Sequence, residues 1–187
     1  MKRHRHVRSD KLCGVKSRTL HLVTVLGFAA LAQAQSTEIP ASLQPPSGEK
    51  LVLKAHATGW QIYTCGAGTD GKPAWTLKAP DADLHDAQGA LVGHHSAGPA
   101  WTHHDGSQVT GKAVAHVDAP DAKSIPWLLV TAVGHSGKGV FASVSSIQRL
   151  HTEGGLPPPA SECDPAKPSP EVRSSYTADY YFYAPAK

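Results

Sequence analysis

Lys50-Leu-Val-Leu-Lys-Ala-His56 and, three residues on, Trp60-Gln-Ile-Tyr-Thr-Cys65 decide the class of fold. Leu51, Leu53 and Ala55 alternate with Lys50, Lys54 and His56, which is the period of a strand with one buried face. Trp60 to Cys65 repeats the pattern with aromatic and β-branched residues, so the two segments predict a hairpin turning at Thr58-Gly59. Downstream, turn signals recur. Gly66 to Gly71 leads into a short strand from Trp75 to Ala79 that Pro80 ends, and Asp86 to Gly89 leads into Leu91 to His95. Gly98-Pro99 then leads into Ala100 to His103, and Asp105-Gly106 into Val109 to Val117. Ile125 to Val133 is continuously apolar and too short for an isolated helix, which predicts a strand buried on both faces at the centre of the core. Val140 to Val144 and Ser146 to Leu150 follow. A loop over 151–170 carries six prolines and leads to a last strand, Val172 to Tyr183. There Tyr176, Ala178, Tyr180 and Phe182 alternate with Thr177, Asp179, Tyr181 and Tyr183. No segment carries a helical period. The expected fold is all-β, a single-domain sandwich or barrel of short antiparallel strands.

The N-terminal side reads differently. Seven basic residues from Lys2 to Arg18 precede an apolar run from Leu20 to Leu31 and then Ala32-Gln33-Ala34, the layout of a secretory signal peptide with cleavage after Ala34. The run is too short to span a bilayer. The predicted organisation is a signal peptide over 1–34, an extended lead-in over 35–48 with Pro40, Pro45 and Pro46, and a β-domain over 49–187. Removing 34 of the 187 residues leaves 153, enough for one domain. The formal charge of +3 becomes −3, because the leader holds seven of the 18 Lys and Arg and one of the 15 Asp and Glu. A weakly acidic chain with scattered basic residues does not suit nucleic acid, and after cleavage nothing anchors it to a membrane. The expected location is secreted or periplasmic. Cys13 leaves with the leader, so Cys65 and Cys163 remain, and one disulfide is the economical reading for an oxidising compartment. A partner-linked or reduced pair is the alternative.

Several motifs come close to known chemistry and fail. Gly66-Ala-Gly-Thr-Asp-Gly71-Lys72 has the spacing of a phosphate-binding loop, yet Pro73 stands where a hydroxyl should hold magnesium. Gly106 to Lys112 fails in the same way at Ala113. Gly134-His135-Ser136-Gly137 begins like a nucleophile elbow, but Lys138 replaces the final glycine and no helix follows. Of the histidine pairs His94-His95 and His103-His104, each can offer at most one ligand to a given site, since consecutive strand residues face opposite ways. A four-residue loop over Ser96 to Pro99 would set His94 against Trp101 and His103 against Val92. No intrinsic metal and no cofactor are expected.

One run of residues carries more information when read in order. It comprises Gln61-Ile-Tyr-Thr-Cys65, Trp75-x-Leu77-x-Ala79-Pro80, His95-x-Ala97-Gly98-Pro99-x-Trp101, Asp105-Gly106-Ser107, Ile125-Pro126-Trp127, Ile147-Gln148-Arg149, Cys163 and Tyr176-x-Ala178-x-Tyr180-x-Phe182. Taken together these resemble domain-of-unknown-function family 3455, found in exported proteins. The resemblance implies a single exported β-domain with a Cys65 to Cys163 bond, and it brings no activity, ligand or catalytic residue with it. His95, Trp101, Asp105 and Ser107 are the candidate ligand site, because they put a titratable ring, a flat aromatic, a carboxylate and a hydroxyl between glycine turns; the favoured alternative is that His95 and Asp105 tie down loops, Trp101 fills the core and Ser107 is a turn residue. Two functions follow. The first is non-enzymatic binding of a small molecule, glycan or protein partner. The second is a hydrolase or lyase with His95 as acid/base, oriented by Asp105, and Ser107 or water as nucleophile. The first is favoured, because no catalytic signature is intact.

Overall fold

The computed structural model describes residues 38–167 and 171–186; the expected leader and its cut after Ala34 lie outside the described residues. Eight antiparallel strands form one sheet: β1 (Glu49–Ala67), β2 (Pro73–His85), β3 (Leu91–Ser96), β4 (Ala100–His103), β5 (Gln108–Val117), β6 (Trp127–Ser136), β7 (Ser146–Gly154) and β8 (Glu171–Pro185). Each pairs with the next, and β1 also pairs with β8, so the sheet closes into an up-and-down barrel. Closure removes every exposed sheet edge.

β1 is what makes closure work. The predicted hairpin at Thr58-Gly59 is instead one strand of 19 residues, paired with β8 from Glu49 to Thr64 and with β2 from His56 to Ala67. Gly59 is not a turn glycine. A Cβ there would stand 2.2 Å from the Asp81 carbonyl oxygen and 2.4 Å from the Ala82 Cα, so the missing side chain is what lets β2 cross so closely. Pro80 likewise fails to end β2. It lies opposite Gln61, next to a register shift at Ile62/Tyr63, the kind of irregularity where a residue without an N–H is tolerated in a ladder.

The alternation of the last strand holds, with Tyr176, Ala178, Tyr180 and Phe182 all buried in the interior. The run expected to be buried on both faces is so only at the start of β6; further along, Thr131 and Val133 face solvent, because the outer cover does not extend to them. Val130 packs inside with Leu128 and Ala132 against it, and Trp127 packs outside with Leu43 and Leu150. Leu43 comes from the lead-in, which forms a short 3-10 helix, η1 (Ala41–Leu43), and is fixed by the Gln148 amide donating to the Leu43 carbonyl at 2.6 Å.

The two ends of the barrel differ. At the end holding the β4–β5 turn, the 3-10 helix η2 (Val140–Ser143) places Phe141 over Phe182, with ring centroids 4.5 Å apart. The opposite end holds the β3–β4 turn and the Pro-rich β7–β8 loop. A disulfide joins Cys65 of β1 to Cys163 there, Cα atoms 5.3 Å apart. The Trp75 indole donates to the Pro159 carbonyl at 3.3 Å, so the loop is fastened against β1 and β2.

Candidate functional site

The structure divides the four candidate residues into two pairs. His95 on β3 and Trp101 on β4 are direct cross-strand partners facing the interior, with rings stacked at 4.3 Å and 3°. The expected register is one residue off. Ser96 already pairs with Ala100, which shortens the loop and sets His95 rather than His94 against Trp101, and His103 against Gly93. Such a slip changes which side chain meets which across the pair. His94 faces outward, between Asp81 and Asp83 at 3.1 Å each.

His95 donates from Nδ1 to the Ala100 carbonyl at 2.9 Å, and burial pushes its pKa down to about 3. The ring is therefore neutral at ordinary pH, with Nε2 an acceptor. An ordinary histidine titrates with a midpoint of about 6.5. The His95 ring resonances should instead hold steady as pH is lowered from neutral through that range. A midpoint near the ordinary value would contradict the burial described here.

Asp105 and Ser107 sit at the other end of the barrel. Asp105 Oδ1 accepts the Ser107 N–H at 2.8 Å and its hydroxyl at 2.6 Å, and Oδ2 accepts the Val140 N–H at 2.9 Å. The Ser107 hydroxyl in turn accepts the Phe141 N–H at 3.0 Å. The pair thus locks η2 onto the β4–β5 turn, and η2 carries Phe141 into the core. These bonds, the Ser107 hydroxyl foremost, hold the Asp105 carboxyl well below the usual carboxylate range. The sign follows directly. A depressed carboxyl stabilises the fold above the ordinary value of about 3.9, and that contribution is lost as pH falls below it. Asp105→Ala should lower the hydrogen-exchange protection factors of the Val140 and Phe141 amides while leaving the centre of β8 protected, and acidification below the ordinary carboxylate range should lower the same protection factors in the unaltered chain.

The hydrolase or lyase reading needed His95 within hydrogen-bonding distance of Asp105 or Ser107. Among the described residues no hydrogen bond joins them. His95 bonds Ala100, and the carboxylate and hydroxyl are committed to η2. The near-motifs are turns and strands as well. Gly66 to Lys72 closes the β1–β2 hairpin, with the Gly68 N–H donating to the Lys72 carbonyl at 2.7 Å, and Gly137 turns at φ 72° between β6 and η2.

What His95 and Trp101 do share is a cavity of about 130 Å³ at the end of the barrel opposite η2. Gln61, Arg149 and Tyr180 complete its polar wall, and Leu77, Pro80, Pro99, Ala113, Leu128 and Val130 its apolar one. Three buried atoms of these residues, Gln61 Nε2, Trp101 Nε1 and Tyr180 Oη, have no hydrogen-bond partner. Burial raises the pKa of the Tyr180 hydroxyl, with the nearby Arg149 guanidinium opposing it, so Tyr180 stays protonated and available as a donor. The sequence does hold a signal for Gln61 and Arg149. Each is a long polar side chain on an inward position of a strand whose other inward residues are apolar or small, such as Ala55, Ala57 and Ile147.

A family model described as a protein of unknown function (DUF3455) matches residues 46–184. The chain belongs to that family. The match starts just before β1 and ends within β8, so in this DUF3455 member it takes in all eight strands and every residue of the cavity wall. No curated protein matches the chain, and no solved structure does.

Proposed function

We propose that the chain is an exported, non-enzymatic binding protein that holds one small molecule in the mouth of its barrel. The carrying observation is that three of the five unpartnered buried side-chain atoms among the described residues, on Gln61, Trp101 and Tyr180, lie in the wall of one cavity. Leaving a buried polar atom unpaired costs about 1–3 kcal/mol. A ligand bearing matching groups recovers that cost on binding, whereas a purely structural interior gains nothing from retaining it. Barrels of eight strands have room inside for packed side chains or for one small ligand, and barrel mouths are common ligand sites.

Size selects among the candidate ligands. A dry cavity of about 150 Å³ accommodates benzene, so about 130 Å³ suits a single ring or a short branched chain. A glycan has less to hold on to. Trp101 is 2% exposed and one ring face is covered by His95, so it does not present a stacking platform to solvent. Export is supported by the basic leader with its apolar run and by the Cys65–Cys163 bridge, which suits an oxidising compartment. Sequencing the N-terminus of the released protein tests it, and Gln35 is the expected first residue.

The binding reading is tested by thermal denaturation of the purified chain against a panel of single-ring compounds, charged and neutral. A ligand at a hundred times its dissociation constant adds about 2.7 kcal/mol, which raises the melting temperature of a domain this size by roughly 5–10 °C. Ala113→Trp at the exposed rim should fill the mouth and abolish the shift with the fold intact. A panel without any shift, or a shift that survives Ala113→Trp, overturns the reading.

A further inference from the structure

We infer that the ligand of this cavity is a small carboxylic acid, bound as its anion with Arg149 as the carboxylate anchor. The inference rests on the binding function proposed above and adds the chemical class. It follows from the balance of donors and acceptors in the wall.

The unpartnered groups are almost all donors. The Gln61 amide nitrogen and the Trp101 indole nitrogen only donate, and the Tyr180 hydroxyl has a hydrogen to give. Arg149 adds more. Its Nε and Nη2 both donate to the Pro126 carbonyl, at 3.2 and 2.8 Å. That uses two of the five N–H donors a guanidinium carries, and the Tyr180 hydroxyl lies within reach of another, so the fork still has donors to offer the cavity. Against these stand two acceptors, His95 Nε2, since Nδ1 holds the hydrogen given to Ala100, and the Gln61 amide oxygen. A donor-rich wall is complementary to an acceptor-rich ligand.

Charge points the same way. Among the described residues, Arg149 forms no salt bridge, although Lys54, Lys72, Lys78 and Arg173 each have a carboxylate. Arg149 is the cross-strand partner of the inward-facing Tyr180 and lines the cavity, which puts the cation on the interior side of the barrel. A partly buried cation facing a cavity without a counter-ion favours an anion there, and the guanidinium fork matches a carboxylate bidentately. The rest of the wall limits the anion. With one cation and six apolar residues, the site neutralises a monoanion with an apolar body, and it leaves a strongly hydrated phosphate dianion undercompensated.

Calorimetric titration of the purified full chain at pH 7 with benzoate, benzamide, benzyl alcohol and inorganic phosphate tests this. The ring is held constant across the three organic probes, so the comparison needs no variant. Benzoate should bind at least about tenfold more tightly than either neutral analogue, as expected for a charge-assisted pair. Arg149→Gln should remove that preference, bringing benzoate down to the affinity of its neutral analogues measured on the same variant, and circular dichroism checks that the variant folds. Equal affinity for benzoate and its neutral analogues overturns the carboxylate inference and leaves the cavity reading standing. A benzoate preference that persists in folded Arg149→Gln overturns the role of Arg149, and phosphate binding better than benzoate overturns the apolar acid. Absence of binding by every ring compound overturns both the inference and the function beneath it.

Discussion

Cys65→Ser with Cys163→Ser lowers the stability of the barrel by about 4 kcal/mol in chain-entropy terms, or roughly 10 °C in melting temperature for a domain of this size. The bridge spans 98 positions of sequence, so the cross-link removes most of the freedom that the unfolded chain would otherwise have between β1 and the β7–β8 loop. The native barrel does not depend on the bridge for its topology. β1 and β8 pair along nearly their whole length without it, and the Trp75–Pro159 bond remains to hold the loop. The variant should therefore fold, with the same strand content, and melt earlier. The loss should fall mainly on the unfolded state, so hydrogen exchange in the native β1–β8 ladder changes only through global opening. A fall under about 1 kcal/mol by chemical denaturation would mean that the proline-rich loop is already so stiff in the unfolded chain that closure costs little.

Trp101→Ala should cost about 3–5 kcal/mol, the range for removing a large buried aromatic. Trp101 is 2% exposed, stacks on His95, and meets Tyr180 and Phe182 edge-on at 5.7 and 6.3 Å. Its loss leaves a hole where β3, β4, β5 and β8 converge, and the backbone has little room to collapse because the strands are hydrogen-bonded all round. The denaturant midpoint should fall with an unchanged slope. A cost below about 1 kcal/mol would show that the stack is not packed as described. The size of this effect also bears on function. Loss of ligand binding in Trp101→Ala reports on folding as much as on recognition, and Arg149→Gln and Ala113→Trp at the rim are the cleaner probes.

Period-two alternation made the strands readable, because each strand buries one face in the barrel. It identified Tyr176, Ala178, Tyr180 and Phe182 as one face, whereas the unbroken apolar run of β6 overstated burial, since Leu43 and Leu150 cover its second face only near Trp127, and Val133 is exposed. It failed where a glycine had two physical explanations. Gly59 is required by the close approach of β2, and nothing local distinguishes that from a turn. The β3–β4 register depended on a loop one residue shorter than expected, which a single sequence does not reveal. Within the candidate site, residue type alone grouped His95, Trp101, Asp105 and Ser107, whereas the fold separates them by opposite ends of the barrel. Gln61, Arg149 and Tyr180 are spread over β1, β7 and β8 and meet only on closure.

On the function proposed here, the cavity at one end of the barrel, and not the outer surface, recognises the ligand. Titrating the isotope-labelled chain with benzoate while following side-chain N–H resonances tests it most directly. Saturable shifts are expected at the Trp101 indole N–H and the Gln61 amide, with the Trp60 and Trp75 indoles unmoved. An outer groove of about 450 Å³ lies beside Trp60, Ser175 and Thr177. Shifts confined to Trp60 and those neighbours, or no shift at Trp101 and Gln61 at saturating benzoate, would contradict it.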